Sequence, residues 1–284
     1  MTERAYRDVL ARGVRLRVAE GGTGAPVLFL HGLCMDHSTW SRLLPTLGEG
    51  FHGVTPDLPG FGESEKPPAA RFAYDVDAFA DAVVDLYAGL GLGRAAVVGH
   101  ALGAAIAITL AARHPELVSK LVLVDAACGA PPEHWPLRLA AAPIVGGIIT
   151  KQLLGPTTFR AFFQSALFAS GSGVGAERTR HYYELFNTPA ARGSALATLR
   201  RTGDTRSITA LTPRIETPTL VIWGRDDPLF PAGQGQRLAR EIRGARFELL
   251  DAGHSPQEER PEAVGRVIRE FLSEERLSTR AERG

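Results

Sequence analysis

The stretch Ala95–Ala105, AAVVGHALGAA, sets the reading of the whole chain. An apolar run feeds a turn bracketed by Gly99 and Gly103, and a helical, alanine-rich run follows at once. Two glycines flanking a central residue have the spacing of the strand–turn–helix elbow G-x-S-x-G. The glycines answer a steric need. The central residue sits in a strained turn, and a side chain two positions to either side collides with the neighbouring strand and helix. Such a turn lifts one nucleophilic oxygen or sulfur off the sheet. Here the centre is Ala101, which carries neither.

Outward from this stretch, apolar runs alternate with helical patterns. Val14–Ala19 alternates apolar and basic residues, and Pro26–Leu30 is continuously apolar, as a strand buried on both faces requires. Ser41–Leu47 reads as a short amphipathic helix and His52–Thr55 as the next strand. Asp75–Leu90 presents Val76, Phe79, Ala80, Val83, Val84 and Tyr87 on one helical face. After the elbow come a helix from Leu102 to about Arg113, stopped by Pro115, and a strand at Lys120–Val124. Alternation of this kind predicts βαβ crossovers and a mostly parallel sheet flanked by helices.

The rhythm changes between Gly129 and Ser207. Pro131, Pro132, Pro136 and Pro143 interrupt the chain, Phe162, Phe163, Leu167, Phe168, Tyr182, Tyr183, Leu185 and Phe186 cluster there, and Ala169–Gly175 reads as a flexible connector. The expected division is a core of residues 1–128 and 208–284 with a helical cap, 129–207, inserted between its halves. The α/β rhythm resumes with a strand at Pro218–Trp223, a helix after Pro231, a strand at Ala245–Leu250 and a last amphipathic helix at Pro261–Leu272, followed by a frayed tail.

Composition narrows the function classes. The 284 residues are 44% hydrophobic, enough for a substantial core. A net charge of +1 with scattered basic residues gives no electrostatic case for nucleic acid. Cys34 and Cys128 make no disulfide framework, the N-terminus lacks the apolar core of a signal peptide, and no stretch has the uninterrupted apolar length of a membrane span. A cytoplasmic protein without stable membrane insertion is the expectation. His37, His114, His134 and His181 are isolated in the sequence and read as surface or loop residues, with no metal-ligand spacing.

Five motifs in order carry a resemblance: FLHG at Phe29–Gly32, DLPGFGES at Asp57–Ser64, GHALGA at Gly99–Ala104, WGRDDPLFP at Trp223–Pro231 and AGHSPQEERPE at Ala252–Glu262. Together they resemble the α/β-hydrolase superfamily, in its esterase and carbon–carbon hydrolase branch with a helical cap. The resemblance spans nearly all of the chain apart from the cap. It implies that His254 is the general base and acid, and that Asp227 orients it, in the chain order elbow, acid, histidine. Within WGxxDxxxP the distance to Pro231 selects Asp227 over Asp226, a turn residue; Asp125, ending LVLVD, is where some relatives place the acid instead. The N–H groups of Leu33 and Leu102 would form the oxyanion hole, with Gly32 letting the backbone approach substrate. Asp57 would anchor its loop, and His31 and His100 would be structural. No metal or organic cofactor is implied.

Leu102 after the central position matches the esterase form GHSLGA, so serine is the residue expected where Ala101 stands. Cys34 in the oxyanion loop is the one nearby thiol, and its ordinary reading is a small buried side chain. Three readings stay open. One is a serine hydrolase of a small to medium apolar ester whose nucleophile has been exchanged for alanine. Another is an enzyme using the His254–Asp227 base alone, as lyases, cofactor-free oxygenases and cyclases of this superfamily do. The third is a non-catalytic binding protein on the same fold.

Overall fold

The computed structural model describes residues 5–129, 139–142, 145–148, 155–169 and 174–281, the side chains of Val145, Ile148 and residues from 275 onward excepted. Pro131, Pro132, Pro136, Pro143, His134 and positions 170–173 of the expected connector lie outside these residues.

Among the described residues the chain forms an eight-stranded sheet in the order β1-β2-β4-β3-β5-β6-β7-β8. The strands are β1 (Ala5–Ala11), β2 (Val14–Gly22), β3 (Gly24–Leu30), β4 (Gly50–Pro56), β5 (Ala95–His100), β6 (Val118–Val124), β7 (Thr219–Gly224) and β8 (Arg246–Leu250). β2 pairs antiparallel with β1 and β4, and every pairing from β4 to β8 is parallel. The helices that matter below are α1 (Val76–Leu90), α2 (Leu102–Arg113), α3 (Pro156–Leu167), α4 (Ala176–Phe186), α5 (Pro189–Thr202), α6 (Ala232–Glu241) and α7 (Pro261–Ala281). No described helix is long and apolar enough to cross a membrane.

The apolar runs of the central strands sort residue by residue onto two faces, because successive side chains on a strand point opposite ways. Leu28 and Leu30 of β3, Val97 of β5, Leu121 and Leu123 of β6, and Val221 and Trp223 of β7 join one core with α1 and α2. Their neighbours Val27, Phe29, Ala96, Val98, Val122, Val124, Leu220 and Ile222 join a second core with Val264, Ile268 and Phe271 of α7. Burial on both faces explains why these strands read as unbroken apolar runs. α1 starts where the Asp75 side chain accepts from the Ala78 N–H, and it ends at Gly91 in the left-handed conformation, φ 61°.

Three local expectations are corrected. The sequence reading left Ala5–Ala11 unassigned, yet it forms β1: an outer strand, mostly exposed, which its charged residues disguise. Ser41–Leu47 is not one amphipathic helix: Ser41–Leu43 is a turn that leads from one 3-10 helix, His37–Trp40, into a second, Leu44–Leu47. Pro45 has no N–H to continue an α-helical ladder there. The last helix does not fray after Leu272 and continues to Ala281.

The chain leaves β3 toward β4 on one side and returns with β5 on the other. That reversal opens a crevice at the carboxyl ends of β3 and β5, where ligands bind in open α/β sheets. The elbow stands at the end of β5, and its glycines are dictated by contact. A Cβ on Gly99 would lie 2.4 Å from the Gly103 carbonyl oxygen, and one on Gly103 would lie 2.1 Å from that of Leu30. Gly103→Ala is therefore expected to lower stability by at least about 1–3 kcal/mol, the range for overpacked sites. The measurement is a urea titration, in which the midpoint falls while the slope stays unchanged.

Candidate active site

Ala101 occupies the elbow with φ 49° and ψ −109°, a backbone conformation that favours glycine. Its N–H donates to the Val124 carbonyl at 3.0 Å, and its own carbonyl accepts from Ala104, Ala105 and Ala127. These bonds hold the turn in a shape that an alanine side chain does nothing to reward. Leu102 is the first residue of α2, so its N–H has no acceptor within the helix and sits at the positive end of the helix dipole.

The loop after β3 supplies the facing backbone. His31 is fully buried; its Nδ1–H donates to the Gly32 carbonyl at 2.8 Å, and its Nε2 accepts from the Leu58 N–H at 2.9 Å. Burial lowers its pKa, which keeps the ring neutral and fixes that tautomer. Gly32 has a reason the sequence did not reveal: a Cβ there would lie 2.8 Å from Nδ1 of His100. The space is taken by a ring, and not only reserved for a ligand. Cys34, at φ 59°, lines the same cavity as Ala101, and burial pushes its thiol up to about 12. It is therefore a protonated thiol at neutral pH, which argues against its serving as a substitute nucleophile.

His254 and Asp227 meet. The imidazole Nδ1–H donates to Asp227 Oδ2 at 2.8 Å, and Oδ1 accepts from the Leu229 and Phe230 N–H groups at 2.7 and 3.0 Å. Asp226, one position earlier, is exposed, and its N–H donates to the Ala252 carbonyl. Asp125 is fully buried beside Asp227, accepting from the Gly224 N–H at 2.9 Å. Burial first, and the Asp227 charge second, raise its carboxyl well above the usual range. His100 is held by its Nε2–H, which donates to the His254 carbonyl at 2.7 Å. Burial and the nearby His254 keep its pKa well below the ordinary imidazole value.

Asp57 gathers three donors: the His37 N–H at 2.6 Å, the His37 Nδ1–H at 2.8 Å and the Glu63 N–H at 2.7 Å. His37 is thus buried and bonded, against its reading as an isolated surface residue. His181 is half-exposed but also engaged, its Nε2–H donating to Asp36 at 3.0 Å. His114 does lie exposed, beside Glu116. Two sets of acids and imidazoles, Asp36–His37–Asp57 and Asp125–Asp227–His254, each bring one ligand-type atom per residue within 4.8 Å of one another, a clustering that linear spacing concealed.

Beside them lies a network the sequence did not disclose. Arg178 of α4 pairs with Glu258 at 2.8 Å and donates to Ser38 at 2.7 Å, Thr39 donates to Glu258 at 2.6 Å, and Tyr182 also donates to Glu258. Glu258 stands in the quoted motif AGHSPQEERPE, four residues after His254, but its partners come from 219 and 80 residues away.

A cavity of about 140 Å³ opens over the elbow, lined by Ala101, Leu102, Leu33 and His254 below and by Phe159, Phe163 and Phe186 of α3 and α4. These rings also pack on one another, Phe159 against Phe163 at 4.9 Å and against Phe186 at 5.0 Å. Among the described residues the lining includes no aspartate, glutamate, lysine or arginine.

The family model for the alpha/beta hydrolase fold matches residues 25–261. The chain belongs to the α/β-hydrolase family. This α/β-hydrolase is 28% identical to 2-hydroxymuconate semialdehyde hydrolase of Pseudomonas sp. (strain CF600), over 94% of each chain. It is 30% identical to a putative non-heme haloperoxidase of Mycobacterium phage D29, over 92% of each. Among solved structures it resembles a thermophilic esterase from Thermogutta terrifontis with malate bound, with a TM-score of 0.79 and 28% identity, covering 95% of this chain and 98% of that one.

Two outcomes follow for stability. Ala101→Gly removes the backbone strain at the elbow and is expected to raise stability by about 1 kcal/mol, read from thermal and urea melts. Burial opposes ionisation of Asp36, but hydrogen bonds from His181 and Ser38 outweigh it and hold the carboxyl at about 2, below the ordinary 3.8. Ionised Asp36 therefore stabilises the fold fully above that ordinary value, and its contribution is lost as pH falls through about 2. Asp36→Asn is expected to cost about 2 kcal/mol at neutral pH and far less at strongly acidic pH, measured by urea unfolding at both.

Proposed function

We propose that this α/β-hydrolase carries a serine-hydrolase site for neutral, apolar carboxylic esters, in which Ala101 stands at the nucleophile position. The observation that supports this reading most is the turn at Ala101. The strained φ of 49° and the glycine contacts are kept where no functional side chain remains, next to an intact His254–Asp227 hydrogen bond. Residues 129–207 act in this reading as a cap over the core of residues 1–128 and 208–284.

With serine at 101, His254 would take the hydroxyl proton through Nε2 while Asp227 holds Nδ1 and stabilises the imidazolium. The N–H groups of Leu33 and Leu102 would hold the carbonyl oxygen as it gains charge. His254 would then protonate the leaving alcohol, and water would release the acyl group by the same path. With alanine at 101 the substrate binds but no acyl-enzyme forms. Gly32, Cys34, Asp57, Gly99, His100 and Gly103 serve the site by shaping the loops around it.

The cavity supports the substrate class. Its volume, about 140 Å³, is close to that of an engineered cavity of roughly 150 Å³ that accepts benzene. A single aromatic ring or a short branched acyl group is the expected occupant. A muconate-type substrate brings a carboxylate, and the described lining offers no cation to receive one. This favours an uncharged ester over the substrate class named in the hydrolase relative.

Ala101→Ser is expected to raise turnover of p-nitrophenyl acetate, butyrate and benzoate by up to about a million-fold, with a stoichiometric p-nitrophenol burst. If serine variant and parent are both inert, the His254–Asp227 pair serves as a base in another reaction, or the cavity only binds. If both turn over equally, the elbow is not the catalytic centre. Within the active variant, kcat/KM for butyrate is expected to exceed that for a succinyl half-ester of the same phenol, because the described lining offers the added carboxylate no lysine or arginine.

A further inference from the structure

Asp125 directly follows β6 and is used by none of the steps above. It is fully buried, sits at φ 42°, and has its N–H bonded to the Ile222 carbonyl at 3.0 Å, so it cannot turn away from its neighbours. One carboxyl oxygen, Oδ1, accepts from the Gly224 N–H. The other, Oδ2, is sealed from solvent and accepts no hydrogen bond from a donor. It shares a cluster within 4.8 Å with the Asp227 carboxylate and the His254 imidazole.

Two carboxylates at this separation, out of water, cannot both keep a charge cheaply. Asp227 already has three donors: the Leu229 and Phe230 N–H groups and His254 Nδ1. Asp125 has one. The better-solvated member is the one that ionises. We propose that Asp125 is protonated at neutral pH and donates its O–H to Asp227, so that the pair presents a single negative charge to His254. Asp125 is thereby a positioning residue. It restrains the Asp227 carboxylate within the same cluster without adding a second charge. The charged and titratable groups around it agree with this. Asp227 and Glu259 both disfavour its ionisation, Glu259 is itself raised by burial, and the neighbouring His100 is kept neutral.

The positioning role rests on the esterase reading, but the proton does not, and the test addresses the proton in the chain as it stands. The infrared difference between the parent and Asp125→Asn at neutral pH should show loss of a protonated-carboxyl C=O band, with the carboxylate bands unchanged. Glu259→Gln provides the control for the other buried acid with a raised value. Asn keeps a donor to Asp227 and has no proton to lose. The parent must retain on folding a proton that its unfolded chain releases above the ordinary carboxylate range, so the melting-temperature gap should move in favour of Asp125→Asn as pH rises from 4 to 8. Loss of a carboxylate band instead, together with a gap that does not change with pH, would overturn the proposal. If Asp125→Asn does not fold, ¹³Cγ-aspartate labelling of the parent decides the matter. One resonance should keep its acid-form shift through neutral pH, and its absence refutes the shared proton.

Discussion

The backbone of β5 must become α2 within a single residue, while lying in contact with the end of β3. Everything at the carboxyl edge of the sheet is arranged around that constraint. Because the Leu30 carbonyl would stand 2.1 Å from a Cβ at position 103, no side chain fits there, and the helix is drawn against the sheet. Because it is drawn in, the start of α2 and the loop after β3 line one cavity, through Leu102 and Leu33. The crevice is thus a product of packing before it is a product of chemistry. Its occupant at position 101 is incidental to the shape, which explains how an alanine can sit in a conformation better suited to glycine without the elbow collapsing.

The loops that close the crevice are held by carboxylates as well as by apolar packing of residues such as Leu58, Phe61, Leu229 and Phe230. Asp57 gathers the segments around His37 and Glu63, and Asp227 gathers Leu229, Phe230 and His254. Glu258 joins the loop after β3 to α4 through Thr39, Arg178 and Tyr182. Each buried charge is costly unless its donors are all in place. A set of loops tied in this way has one low-energy arrangement, in which the cavity rings and the imidazole come together.

The sheet was legible because its central strands carry unbroken apolar runs and its motifs keep their order; the start of α2 at Leu102 was read, and its end only as about Arg113. That Asp227 and His254 belong together is what the family resemblance implied, and the fold places the two side chains within a hydrogen bond of each other. What stayed hidden has a common cause. β1 is an outer strand whose charged, exposed residues lack an apolar signature, and its identity comes from pairing with β2. His37 and His181 look isolated because their acids, Asp57 and Asp36, stand 20 and 145 residues away. Glu258 finds Thr39 across 219 residues. Local pattern reports which face of an element is buried, whereas polar partnerships formed by tertiary folding leave no periodic trace.

His254 is tied down twice, and the two ties act on different parts of it. His100 holds its carbonyl, and Asp227 holds its ring. A rotation of the imidazole about its side-chain bonds therefore breaks only the second tie and leaves the backbone pinned. The loop acts as a fixed bearing on which the ring turns, with Phe230, 5.4 Å away, as a wall on its sweep. Reorientation of the ring is thus a side-chain event, and it does not require the backbone of its loop to move.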